Sequence, residues 1–162
     1  MGGVGLDLIR QAGYNEKIEF YEDYCYKILP KLLDQDRKFD FAYIDSTKQF
    51  DWLMVDFFFI DKLLKKGGVI VFDDVAPFPG IRKLVRYVSQ FPDYKVYDCC
   101  PQNSNPHYGG KMLSLLKSFG KTKKYLRQDI LLTEFELGIS SHCVALQKIN
   151  DDSRDWQWHK DF

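Results

Sequence analysis

The alternation of apolar and polar positions is clearest in residues 39–75, FDFAYIDSTKQFDWLMVDFFFIDKLLKKGGVIVFDDV. Two short apolar runs, FDFAYI and VIVF, are typical of strands that are covered on both faces. Between them, apolar side chains recur with helical spacing from Phe50 to Leu64. The order of strand, helix and strand predicts two parallel strands that are joined by a right-handed crossover.

Acidic residues follow both predicted strands. Asp45 ends the first strand, Asp73 and Asp74 end the second, and Lys48 comes three residues after Asp45. Parallel sheets bind ligands outside the carboxyl ends of their strands, so we expect these side chains to share a site. Carboxylates suit a hard cation such as Mg²⁺ or Ca²⁺. On spacing alone, these aspartates could equally cap a helix and terminate a strand.

The remaining elements are shorter and less regular. The pattern predicts helices at residues 5–11, 23–33, 81–91 and 111–118, and strands at residues 17–21, 94–99 and 141–149. Gly13 is expected to close the first helix, and Pro30 to bend or end the second. Residues 101–110 form the clearest predicted loop, in which His107 could line a substrate entrance.

The composition excludes several classes of function. A chain of 162 residues suits one domain, and 23 basic against 23 acidic residues give a formal net charge of zero, so we expect neither nucleic-acid nor membrane binding through bulk charge. No apolar run reaches the roughly 18 residues of a membrane span, and the N-terminus lacks the features of a signal peptide. Four cysteines without CxxC spacing indicate reduced thiols, which fits a cytoplasmic location.

The segment FDFAYID, the helix after it and LLKKGGVIVFDDV together resemble the second half of class I S-adenosylmethionine-dependent methyltransferases, of the small-molecule O-methyltransferase type. Residues 12–32 fit the same frame. The resemblance implies an α/β fold with a Rossmann-like, mostly parallel sheet and helices on both faces, in a single partial domain over residues 1–162. It also implies methyl transfer from S-adenosylmethionine to a small-molecule or sugar hydroxyl.

The chain departs from this family at its N-terminus. The glycine-rich cofactor loop that follows the first strand of the family is not found, since Gly2, Gly3 and Gly5 follow no predicted strand. We therefore expect an N-terminally truncated domain whose strand FDFAYI has an open edge. Such an edge favours a homo-oligomer or completion by a missing N-terminal segment. The alternative function is a non-catalytic remnant or fragment that acts as a binding or oligomerisation module.

The resemblance also implies roles for single residues. Asp45, Asp73 and Asp74 would hold a divalent cation such as Mg²⁺, which orients the substrate hydroxyl and lowers its pKa. Asp45 would also take part in catalysis and cofactor binding. Lys48 would be the general base, which requires a lowered pKa; a solvated lysine is the alternative.

Two further expectations concern the cofactor. Asp23 and Tyr24 would contact the adenine ring, although Glu22 replaces the usual glycine and Asp23 could simply cap a helix. Trp52, near the expected cofactor edge, is predicted to pack in the core.

Overall fold

The computed structural model describes residues 3–97 and 142–160. These residues form four α-helices, α1 (Val4–Gln11), α2 (Cys25–Asp34), α3 (Phe50–Leu63) and α4 (Pro79–Val88), one short 3₁₀ helix (Asn15–Lys17), and four strands, β1 (Phe39–Ile44), β2 (Leu64–Phe72), β3 (Tyr94–Val96) and β4 (Val144–Lys148). The predictions for residues 98–141, among them the loop at 101–110 with His107, the helix at 111–118 and the pair Cys99–Cys100, lie outside the described residues.

The predicted strand–helix–strand unit is confirmed. β1 and β2 are parallel, with Tyr43 opposite Val71 and Ile44 opposite Phe72, and α3 lies between them in the chain. β2 begins directly after α3, and its register against β1 is irregular near the start. Gly67, with φ of +85°, supplies the left-handed conformation that this irregularity requires.

The four strands form one sheet in the order β1–β2–β4–β3. β4 is antiparallel to both of its neighbours, so β1, β2 and β3 run in one direction. The predicted α/β fold with a Rossmann-like, mostly parallel sheet is therefore confirmed. Both β3 and β4 lie within segments that the sequence predicted as strands.

One local prediction was wrong. Residues 17–21 do not form a strand: Lys17 ends the 3₁₀ helix, and residues 17–21 are exposed and are not paired with the described sheet. Pro30 lies inside α2 without ending it. A proline removes one backbone hydrogen bond, and the helix continues to Asp34 despite that loss.

The core lies on one face of the sheet. Side chains of α3 and α4 pack there against strand residues, and the cluster includes Leu53, Phe57, Leu84, Val85, Ile70, Phe72 and Leu146. On the opposite face, Phe41 is 57% exposed and Tyr43 is 51% exposed. The expectation that β1 is covered on both faces was therefore wrong among the described residues.

Within residues 3–97 and 142–160, no helix combines the length and the apolar character that crossing a membrane requires.

Phe57 is the centre of the aromatic core. It is 3% exposed, and its ring lies 5.8 Å from Phe91, 5.8 Å from Tyr94 and 6.3 Å from Phe72, measured between ring centroids. We expect Phe57→Ala to lower the free energy of unfolding by about 3–5 kcal/mol, because it removes buried contacts and leaves a cavity. The measurement is urea unfolding followed by circular dichroism.

The neighbouring Phe58 provides a matched control, since it is 52% exposed on the same helix. Phe58→Ala should cost less than about 1 kcal/mol. Equal losses in the two variants would contradict the proposed sidedness of α3.

Candidate functional site

The predicted acidic residues meet at the carboxyl ends of β1 and β2. Ile44 and Phe72 are the last paired residues of the two strands, so Asp45 and Asp73 leave the sheet side by side. The backbone N–H of Asp73 extends the pairing by donating to the carbonyl oxygen of Ile44 at 3.0 Å. The parallel register therefore places all three carboxylates at one edge of the sheet.

Lys48 joins two of these carboxylates. Its Nζ lies 2.9 Å from Asp45 Oδ1 and 2.9 Å from Asp74 Oδ2, and its side chain is 26% exposed. The hydrogen bond to Asp45, followed by that to Asp74, raises the pKa of Lys48 above its ordinary value. Lys48 is therefore protonated at neutral pH in this arrangement. To act as the predicted general base, it must first leave both carboxylates.

Asp73 points to different partners. Its Oδ2 accepts a hydrogen bond of 2.6 Å from the Tyr43 hydroxyl, and its Oδ1 accepts from the Cys143 thiol at 3.1 Å and from the backbone N–H of Asp74 at 2.8 Å. These donors, led by Tyr43, lower the pKa of Asp73 below its ordinary value. Asp74 has φ of +54°, a left-handed conformation that is uncommon for residues other than glycine.

The donor chemistry fits a hard cation, since carboxylate oxygens are the ligands that Mg²⁺ and Ca²⁺ prefer. Asp45 and Asp74 already converge on one positive charge, the ammonium of Lys48. In the described part of the chain, no group of three or more metal-ligating side chains is drawn together tightly enough to hold an ion. The metal-binding role of Asp45, Asp73 and Asp74 stays a prediction, with Asp45 and Asp74 as its best-placed members.

A buried aspartate holds the loop that carries Lys48. Asp56 of α3 is 6% exposed and accepts hydrogen bonds from the Ser46 hydroxyl at 2.8 Å and from the Cys25 thiol. Burial raises the pKa of Asp56 above its ordinary value. The contact to Ser46 fixes the backbone next to Asp45. The contact to Cys25 ties α2 to the same point.

An aromatic cluster lies beside Cys25, at the start of α2. Tyr24 and Tyr26 flank Cys25, and their rings stack at 5.5 Å; Trp52 of α3 lies 6.1 Å from Tyr24 and 5.7 Å from Tyr26. All three rings are more than 40% exposed, so the prediction that Trp52 packs in the core was wrong. Trp52 is on the solvent side of the first turn of α3, where it meets the start of α2.

The predicted cofactor residues border this cluster. Asp23 accepts a hydrogen bond from the backbone N–H of Tyr24 at 2.8 Å and pairs with Lys27 at 2.9 Å. The hydrogen bond from Lys27 lowers the pKa of Asp23. Lys27 also lies over the ring of Tyr24, 5.3 Å from its centroid. The arrangement presents flat rings and one carboxylate on a common surface, and cofactor binding by Asp23, Tyr24 and Asp45 stays a prediction.

Comparison with known proteins finds a family match for the first half of the chain. The model of a family described as O-methyltransferase matches residues 2–81, which contain β1, α3, β2 and all three aspartates. By this match, residues 2–81, just under half of the chain, are similar to the O-methyltransferase family. The predicted resemblance is confirmed.

Curated relatives in the O-methyltransferase family match at moderate identity. A caffeoyl-CoA O-methyltransferase of Zinnia elegans is 35% identical over 99 residues, which cover 54% of this chain and 40% of the relative. The enzyme of the same name from Pinus taeda is 34% identical over 99 residues, with 54% and 38% covered. A putative caffeoyl-CoA O-methyltransferase of Arabidopsis thaliana is 38% identical over 76 residues, with 46% and 32% covered. The chain thus spans between a third and two fifths of these relatives.

Three polar residues with specific contacts in the structure were not predicted from the sequence pattern. Asp56 and Asp61 are polar positions within the sequence of α3, yet both are buried, and Asp61 accepts a hydrogen bond of 2.7 Å from Tyr94 and pairs with Lys148 at 3.4 Å. Tyr43 lies in the apolar run FDFAYI, and the sequence pattern did not predict that its hydroxyl donates to Asp73. A stricter count of helical positions would have placed Asp56 three residues after Leu53, on the core face.

Gly80 supports the Lys48 loop from the side of α4. A Cβ at this position would lie 2.5 Å from the Lys48 carbonyl oxygen and 3.2 Å from the Phe50 nitrogen. We expect Gly80→Ala to displace the loop and to lower the free energy of unfolding by about 1–3 kcal/mol. Urea unfolding measures this change.

Gly5 of α1 is the matched control, because a Cβ there would meet nothing within 4 Å. Gly5→Ala should leave stability unchanged or raise it slightly, since alanine favours helices. An unaltered stability of Gly80→Ala would show that the loop does not rest on α4.

Proposed function

We propose that this chain takes part in the transfer of a methyl group from S-adenosylmethionine to a small-molecule hydroxyl. One observation carries the proposal: Asp45, Lys48 and Asp74 converge at the carboxyl ends of two adjacent parallel strands, in a chain whose residues 2–81 are similar to the O-methyltransferase family. In this reaction the acceptor oxygen attacks the methyl carbon, the carbon–sulfur bond breaks, S-adenosylhomocysteine leaves, and the hydroxyl proton passes to a base. Orienting the oxygen in line with that bond supplies much of the acceleration.

The acidic group has two tasks in this proposal. Asp45 and Asp74, with Asp73 beside them, would hold a divalent ion such as Mg²⁺, which supplies a Lewis acid for the acceptor oxygen. Lys48 then takes the hydroxyl proton once its ammonium has left the carboxylates and lost its proton. Tyr43 and Cys143 keep Asp73 ionised by donating to it.

The aromatic cluster is proposed to bind the adenine of the cofactor. Flat rings such as those of Tyr24, Tyr26 and Trp52 offer stacking surfaces to a planar base. Asp23, at the edge of the cluster, can accept a hydrogen bond from the adenine amino group. Asp45 would then lie towards the methyl-bearing end of the cofactor. The hydrogen bonds of Asp56 with Cys25 and Ser46 connect the aromatic cluster to the loop that carries Asp45 and Lys48.

The acceptor is proposed from the relatives. Several are named for caffeoyl-CoA, which makes a phenolic hydroxyl the first acceptor to test. A sugar hydroxyl is the second. The thiols of Cys25 and Cys143 favour a reducing compartment, and we propose the cytoplasm.

A binding module without catalysis is the second candidate. The observation in its favour is Lys48 itself, which is doubly paired and has a raised pKa rather than the lowered pKa of a general base. Binding of cofactor without turnover of any phenolic acceptor would support this candidate.

Binding of S-adenosylhomocysteine tests the cofactor proposal. We expect the purified chain to bind it with micromolar affinity in titration calorimetry, and Trp52→Ala to weaken that binding at least about tenfold by removing one stacking surface. Trp156→Ala is the control, because Trp156 is 90% exposed and outside the cluster. Absence of binding at millimolar ligand would refute the cofactor proposal for this chain.

We also propose that the chain forms a homo-oligomer through the edge of β1. This strand pairs only with β2 among the described residues, and Phe41 and Tyr43 are exposed beside its open edge. A second copy could pair with the backbone of β1 and cover both rings. Light scattering after gel filtration should show a dimer or larger species, and Phe41→Lys should shift it towards monomer. A monomeric parent chain would contradict this assembly.

A further inference from the structure

Lys48 already occupies the place that a divalent ion would need. The oxygens of Asp45 and Asp74 both lie 2.9 Å from the same nitrogen atom. A Mg²⁺ or Ca²⁺ ion bound to these oxygens would lie about 2.0–2.6 Å from each. Two cations cannot share one point between the same pair of oxygens. An ion that binds Asp45 Oδ1 and Asp74 Oδ2 together therefore requires the ammonium to move out.

The backbone around Lys48 is fixed by packing and hydrogen bonds. The ammonium of Lys48 therefore competes strongly with a divalent ion for Asp45 and Asp74. Gly80 packs directly against the Lys48 carbonyl, and Ser46, two residues earlier, is bound to the buried Asp56. The Nζ also lies 5.7 Å from the centre of the Phe78 ring, within reach of a cation–π attraction. A side chain that starts from a fixed backbone loses less entropy on pairing.

Asp73 does not offer an easy alternative for the ion. Both of its oxygens already accept hydrogen bonds, from Tyr43 on one side and from Cys143 and the Asp74 backbone on the other. An ion held by Asp73 alone would have to break these bonds without gaining the other two carboxylates. The position between Asp45 and Asp74 is the only one in the described acidic group at which two carboxylates already face one cation.

We propose that Lys48 and a divalent ion are mutually exclusive occupants of the position between Asp45 and Asp74, so that Lys48 sets the affinity of this chain for divalent metal. The inference rests on the proposed function only in using the same acidic group. It makes Lys48 the resident cation, and metal entry is the event that frees its ammonium.

Calorimetric titration of the purified chain with MgCl₂ and with MnCl₂ tests this inference. Parent protein and the variants Lys48→Met and Lys48→Arg are compared at one pH. We expect Lys48→Met to bind the ion at least about tenfold more tightly than the parent, because the competing charge is gone. Lys48→Arg keeps the charge and should show no such gain. Thermal unfolding of each variant checks that it is folded.

Two further variants locate the effect. Lys65→Met removes an exposed lysine that pairs with Asp40 at 2.9 Å and should leave metal affinity unchanged. Adding Asp74→Ala to Lys48→Met should abolish the gain, since one of the two proposed ligands is removed. A gain that survives Asp74→Ala would place the ion elsewhere and overturn the proposal.

Other outcomes also decide the question. Equal affinity in the parent and in Lys48→Met, weaker affinity in Lys48→Met, or no binding by either protein would each overturn the competition. Titration of the same proteins with S-adenosylhomocysteine separates this result from the proposed function. Failure of the parent chain to bind that ligand would refute the cofactor proposal and leave the metal result intact.

Discussion

The parallel pairing of β1 with β2 is the constraint on which the site depends. It aligns Ile44 with Phe72, so the next residues of both strands emerge at the same edge of the sheet. The crossover helix α3 returns the chain to this pairing and packs Leu53 and Phe57 beneath it. Loss of that register by one residue would turn the strand side chains to the opposite faces and separate Asp45 from Asp74. The positions of Asp45 and Asp74 relative to each other therefore depend on the core packing of α3.

The same helix couples the core to the loop that carries the charges. Phe57 and Asp56 are neighbours on α3, yet one fills the aromatic core while the other accepts hydrogen bonds from Ser46 and Cys25. A buried carboxyl is costly unless it has donors, and these two donors reduce the cost while fixing the loop and the start of α2. Stability of the helix and placement of Asp45 and Lys48 are thus parts of one packing arrangement.

The strand–helix–strand unit could be predicted because its signal is local: two apolar runs and the helical spacing between them all lie within residues 39–75. The position of Asp45, Asp73 and Asp74 followed from that topology. What could not be predicted depends on tertiary context. KIEFY alternates like a strand, but residues 17–21 are not paired with the sheet. Trp52 is apolar, but the helical phase of α3 turns it towards Tyr24 and Tyr26 rather than the core. The partners of each aspartate, Tyr43 and Cys143 for Asp73 and Lys48 for the other two, depend on tertiary contacts that no local pattern encodes.

Three carboxylates and one ammonium at one sheet edge leave an excess of negative charge, and the fold distributes that charge in two ways. Asp73 is compensated by neutral donors, chiefly the Tyr43 hydroxyl, which lower its pKa without adding positive charge. Asp45 and Asp74 are compensated by Lys48. A neutral donor cannot be displaced by a cation through direct charge repulsion, whereas an ammonium can. The exchangeable part of the site is therefore the part that Lys48 holds, and the fixed part is the one that Tyr43 and Cys143 hold. Any ligand that brings a positive charge to this edge acts first on Lys48.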